Sequence, residues 1–171
     1  GRNTANDGGY EAITLTNVDT TTSGAITVTN YANNIVATDA AALGGADTDD
    51  VTLTTTSTGI VSLGAVSAAT SGDVTISSVG TITDITGAQD DVAEITADVF
   101  TVSAATAIGT GSAQVDVNAT TVNLTATGDT YLDTVGSGGV AITAALTGGN
   151  IVIDGRNTAN DGGYEAITLT N

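Results

Sequence analysis

The sequence predicts an all-β chain wound as a right-handed parallel β-helix, and three observations predict it. The first is a verbatim repeat. "GRNTANDGGYEAITLTN" fills residues 1–17 and returns unchanged as residues 155–171, so that residues 1–154 make one period. Self-similarity at a fixed period is the mark of an architecture built by stacking units. The second is a recurring short segment in which an apolar residue, Thr and a second apolar residue alternate, the period-two pattern of a strand with one buried face. The third is the nature of the apolar residues. They make up 40% of the chain, yet Phe100 and four tyrosines are the only aromatics. A compact globule draws on aromatic bulk, whereas a narrow core of stacked coils fills with Val, Ile, Leu and Ala.

In chain order the strands are expected around "AITLTN" (Ile13, Leu15), "AITVTN" (Ile26, Val28), "DVTLTTT" (Val51, Leu53) and "DVTISS" (Val74, Ile76). "DVFTVSA", "TVNLTATG" (Val122, Leu124), "GVAITAA" and "NIVIDG" follow. Ile13, Leu15, Val51, Leu53, Val74, Ile76, Val122 and Leu124 are the expected core. "GIVSLGAV" and "GTITDIT" read as subsidiary strands, and "AQDDVAEITADVF" as a loop leading into a strand. Val and Thr favour strands, and the 22 glycines punctuate turns.

An antiparallel sandwich would use longer strands and two-residue turns. The short strands, scarce aromatics and long repeat favour the solenoid, with the right-handed crossover general to parallel connections. At about 22 residues per coil, one period makes roughly seven coils and advances about 34 Å at ~4.8 Å per strand. Residues 1–154 are then one full repeat and 155–171 the start of the next, in one continuous solenoid.

Net charge is −17, and Arg2 and Arg156, the same position in two repeats, are the only cations. Binding of nucleic acid or anionic membrane requires Lys and Arg, so both partners are disfavoured. No apolar run is long enough to span a bilayer as a helix, and the absence of Cys removes a disulfide framework. With no Met in the chain, the sequence reads as an internal piece of something longer.

Residues 72–135, "GDVTISSVGTITDITGAQDDVAEITADVFTVSAATAIGTGSAQVDVNATTVNLTATGDTYLDTV", resemble the repetitive stalks of filamentous-haemagglutinin-like exoproteins. The resemblance is carried by Gly80 to Asp84, Ile95 to Gly109 and Val117 to Asp129. It implies a right-handed β-helix in a very large secreted or surface-attached protein, and an adhesive role.

Candidate sites are few. Carboxylate pairs hydrolyse glycosides in some proteins. Here neither His, Cys nor Lys is present to complete a nucleophile–base pair or to neutralise an acidic sugar, so no enzyme is expected. Calcium is the one cofactor the residues invite. "GADTDD" (Asp47, Asp49, Asp50) and "GAQDDVAE" (Asp90, Asp91, Glu94) cluster oxygen ligands for a cation that takes six to eight of them. "NTANDGGYE" (Asp7, Glu11) is a third acidic loop, although neither the EF-hand nor the GGxGxD pattern occurs.

The TxT pairs at Thr14/Thr16, Thr27/Thr29, Thr52/Thr54 and Thr81/Thr83 are unevenly spaced, the first step being far shorter than the two that follow. Such spacing favours ordinary outward ladders over an ice-binding face. Asn118 and Asn123 match the N-glycosylation acceptor pattern, at a frequency that composition alone would produce. The expected function is mechanical: an acidic, stiff extracellular or cell-surface filament. Its partners are further copies of the repeat stacked end to end, with lateral self-association into fibres. An adhesin segment binding glycans and a Ca²⁺-binding surface-layer-like repeat are the rival readings.

Overall fold

The computed structural model describes residues 10–87, 90, 92–136, 138–155 and 167–170. Among them there is no helix. The strands are β1 (Ile13–Leu15), β2 (Val18–Thr20), β3 (Ile26–Asn30), β4 (Ile35–Ala42), β5 (Val51–Thr55), β6 (Val61–Ala68) and β7 (Val74–Ser77). β8 (Ile82–Asp84), β9 (Ile95–Ala105), β10 (Val115–Ala126), β11 (Thr130–Thr134), β12 (Val140–Leu146), β13 (Ile151–Asp154) and β14 (Ile167–Thr170) follow. Every pairing between them is parallel, and each joins segments about one turn apart in sequence. The chain is a parallel β-solenoid.

Three faces run the length of the coil, each a ladder of aligned residues. Face A aligns Ile26, Val51, Val74, Phe100, Val122, Ile142 and Leu169. Face B aligns Ile13, Ile35, Val61, Ile82, Ile108, Thr130 and Ile151. Face C aligns Val18, Ala40, Val66, Ile95, Val117 and Thr134. The longer strands β4, β6, β9 and β10 bend round a corner and serve two faces each.

Ile13 and Ile151 lie six turns apart on face B. A turn therefore averages about 23 residues, a length typical of solenoid coils and slightly above the value expected. One period then makes about six and two-thirds turns, close to the roughly seven coils expected, the small difference arising because several turns carry loops beyond their strand residues. The stretch between β4 and β5 and that between β8 and β9 are the main ones.

Alternation sorts each strand. In β5 and β7, Val51, Leu53, Val74 and Ile76 are wholly buried while Thr52, Thr54, Thr75 and Ser77 are half-exposed. Of the eight expected core residues, seven are buried; Ile13, on the first rung, is half-buried. The threonines are more regular in space than in sequence. Thr27, Thr52, Thr75 and Thr101 stand in one column on face A, since turns of unequal length still place each strand on the same ladder.

Corners hold the polar groups that close the turns. Asn30, fully buried at the end of β3, donates Nδ2 to the carbonyls of Asn34 (2.9 Å) and Glu11 (2.8 Å). Thr55 follows it one rung on, within 3.4 Å of the Ser78 hydroxyl on the next. Between β5 and β6, Gly59 adopts φ +121°. A Cβ there would run into the Asn33 carbonyl of the preceding turn, so both backbone angle and packing require glycine.

One rung departs from the aliphatic rule. Thr130 occupies a face-B core position between Ile108 and Ile151, is fully buried, and its Oγ1 has no hydrogen-bond partner among the described residues. An orphaned buried hydroxyl costs about 1–3 kcal/mol. Thr130→Val keeps the branched shape and should stabilise the fold by about 1 kcal/mol, read as a higher urea midpoint at unchanged slope; a lower midpoint would refute it.

Candidate functional site

The structure separates the two acidic loops singled out from sequence. In the first, Asp47 is exposed and Asp49 is wholly buried. The two Asp49 oxygens accept hydrogen bonds from backbone amides, Oδ1 from Gly24 (2.6 Å) and Oδ2 from Ala46 (2.7 Å). Those bonds, Gly24's first and then Ala46's, hold its carboxyl below the ordinary aspartate value. Gly44 packs so closely on this carboxylate that a Cβ would collide with it.

Asp50 points elsewhere. Its Oδ1 accepts from the Asp73 amide at 3.0 Å, and Asp73 Oδ1 in turn accepts from the Val99 amide at 3.1 Å. One rung on, the Thr120 hydroxyl donates to Asp98. Asp50 and Asp73 satisfy backbone donors on successive turns, and Asp98 a hydroxyl on the next. Asp73 is raised above the usual aspartate range, chiefly by burial, with Asp50, Asp47 and Asp98 adding negative charge around it. Asp47, Asp49 and Asp50 do not converge on a point, so this loop reads as a staple between turns.

The second loop does build a cluster, though with a different third member. Asp91 lies outside the described residues, as does Asp7. Glu94, 2% exposed, accepts the Asp116 amide on Oε2 at 2.6 Å. Asp90 is exposed, and its Oδ1 accepts from the Val92 amide at 3.1 Å. Carboxylate oxygens of Asp90, Glu94 and Asp116 all lie within 4.8 Å of one another, the one such trio of acids among the described residues. Asp116 is 1% exposed, and Asp133 stands in register with it on the next rung, also buried. Asp84, at the end of β8, accepts from the amide and hydroxyl of Thr86.

Sequence reasoning missed Asp116. In "QVDVNA" strict alternation sends Val115 and Val117 inward and Asp116 outward. Gln114, Val115, Asp116 and Val117 are instead all buried; Glu94 and Asp116 directly precede the paired Ile95 and Val117, so the two acids meet on neighbouring rungs of one column. The available signal was the spacing of Glu94 and Asp116, close to the length of one turn.

The electrostatics follow from a concentration of acids with no cation among the described residues. The chain has no Lys or His, and both arginines lie outside those residues. Burial first, then the charges of Asp116, Asp84 and Asp90, push Glu94 up to about 8, against the opposing hydrogen bond from the Asp116 amide. At neutral pH Glu94 therefore holds a proton. A hard cation is the chemical alternative to that proton. Three carboxylates supply part of the six to eight oxygens Ca²⁺ requires, the remainder falling to carbonyls and water.

No protein-family model matches this chain, and neither the curated proteins nor the solved structures compared with it give a match.

Proposed function

We propose that the chain is a structural unit of a long β-solenoid filament, a stiff, acidic, non-catalytic scaffold or stalk on the outside of a cell. The observation that carries the reading is the second copy of the opening segment. It forms β14, which stacks on β12 in parallel register, Val140 against Ile167 and Ala141 against Thr168. A repeat thus begins by extending the ladder of the repeat before it.

Two physical facts support continuation. A coil in a solenoid buries its apolar edge only against neighbours above and below. On face B, Ile35, Val61, Ile82, Ile108 and Thr130 are all fully buried, while the last described rung leaves Ile151 41% exposed. A further rung would cover it and pair the open strand edge, which otherwise invites association. Placement outside the cell rests on the resemblance of residues 72–135 to exoprotein stalks. A net charge of −17 keeps such a rod soluble.

Chains of one, two and three complete repeats, imaged by electron microscopy, test this. Rods that lengthen by about 32–34 Å per repeat, six and two-thirds to seven rungs of ~4.8 Å, are expected. Separate beads of constant size would overturn it.

A glycan-binding stalk is favoured by one feature. Tyr31 is 59% exposed, with its ring 5.5 Å from that of Tyr10, a small aromatic platform at the first turn. Loss of glycan-array binding on Tyr31→Ala would support that reading, and a wild-type chain that binds no glycan would remove it.

A further inference from the structure

The two copies of the repeated segment do not occupy equivalent places. Ile13 of the first copy lies on face B, stacked on Ile35. Ile167 of the second lies on face A, stacked on Val140. From the structure we infer that each repeat joins the one before it rotated by one face, about a third of a turn, so that the array carries identical residues round the rod in a long-pitch spiral.

The register gives the count. Face A runs through six turns from Ile26 to Leu169. Leu15, the first-copy equivalent of Leu169, sits on face B, two faces before Ile26 in the order B, C, A. The repeat therefore spans six turns and two faces, or six and two-thirds turns. Mean turn length agrees. Dividing the period, residues 1–154, by about 23 residues per turn gives close to six and two-thirds, and neither six nor seven.

In the alternative, Ile167 stacks on Ile151 and the copies align on face B. The closing turn from Ile151 to Ile167 would then be shorter than every turn described on the three ladders. The shortest on face B, Val61 to Ile82 and Thr130 to Ile151, are equal in length and longer than that. The shortest on any face, Val117 to Thr134, is reached because β11 passes straight from face B to face C. One turn earlier, a loop separates Ile108 on face B from Val115 on face C.

The consequence concerns what the array shows to partners. The threonine column of face A and the exposed Asp90 would each point in three directions in successive repeats, returning to one side every third repeat. A partner or neighbouring filament that reads one such feature would find it on every side of the rod. Lateral association is then three-directional instead of confined to a flat sheet.

The inference rests on the filament reading, and its test is separate: rod length tests the filament, and cross-strand chemistry tests the rotation. The chain contains no cysteine, so engineered pairs report cleanly. Adjacent parallel strands place outward residues of one register at ~4.8 Å, within reach of a disulfide. Ala141→Cys with Thr168→Cys joins exposed positions that are in register under rotation. Val152→Cys with Thr168→Cys joins positions that would be in register only if the copies aligned. Tyr131→Cys with Val152→Cys, paired on face B, is the control for reactivity there.

Under diamide oxidation of the full chain, the first pair and the control should close at least tenfold faster than the second, read by mass spectrometry and non-reducing gels. Faster closure of the Val152 and Thr168 pair, equal closure of both, or closure of the control alone would each overturn the inference.

Discussion

Phe100→Ala is expected to destabilise the fold by about 3–5 kcal/mol, the range for removing a buried phenylalanine. Phe100 is the sole phenylalanine, is fully buried, and sits on face A between Val74 and Val122. The neighbouring rungs hold Val, so the ring is the largest buried side chain on this part of the ladder. Truncation leaves a void that cannot close by collapse, because the rungs above and below are fixed at ladder spacing by backbone hydrogen bonds. Phe100→Leu retains most of the volume and should cost about 1–1.5 kcal/mol.

The location of the damage is as informative as its size. Contacts in a solenoid are between neighbouring turns, so stability behaves as a chain of nearest-neighbour terms. Hydrogen exchange in Phe100→Ala should lose protection first in β7, β9 and β10, with β3 to β6 retaining more. A destabilisation below about 1 kcal/mol, or protection lost evenly along the chain, would show that face A is not packed as described.

The alternating strands were legible because they depend only on local period. A residue such as Leu53 or Ile76, flanked by threonine or serine, has one burial pattern consistent with its neighbours. Turn length was less legible, since residues between β4 and β5 and between β8 and β9 lengthen two turns without breaking any ladder. The same effect hid the threonine column. The steps from Thr27 to Thr52, to Thr75 and to Thr101 look irregular until the loops are assigned to corners.

Acidic residues were the least legible. Asp47, Asp49 and Asp50 are near-identical in sequence context. Only the position of the Gly24 and Ala46 amides makes Asp49 the buried one. Asp116 meets Glu94 because one turn separates them, a distance visible only once the turn is known.

Replacing Glu94 by Gln should abolish a pH dependence of stability that Glu94 imposes. Its carboxyl is raised from 4.5 to about 8 on folding, by burial first and then by Asp116, Asp84 and Asp90. The folded state thus holds the proton more tightly than the unfolded one. Its contribution is fully present below about pH 4.5, declines as pH rises from there to about 8, and is gone above. The slope is at most about 1.4 kcal/mol per pH unit, the free energy of one pKa unit. Asp90 lies exposed at the edge of the cluster, so water screens part of the interaction and the total is set at about 3 kcal/mol.

Glu94→Gln retains an oxygen to accept the Asp116 amide and removes the ionisation. It should gain little over wild type at pH 5 and about 3 kcal/mol at pH 8.5, read from urea titrations at both values. Subtracting the two proteins cancels the titration of the other carboxylates. A difference that stays flat between pH 5 and 8.5 would show that Glu94 does not carry the proton. Millimolar Ca²⁺ at pH 8.5 separates proton from cation. A midpoint that rises in wild type and not in Glu94→Gln places the ion at this carboxylate, and an equal rise in both assigns it to the general surface charge. The proton and the cation oppose each other here, since each relieves the same repulsion. Any Ca²⁺ response at this cluster must therefore strengthen as pH passes 8.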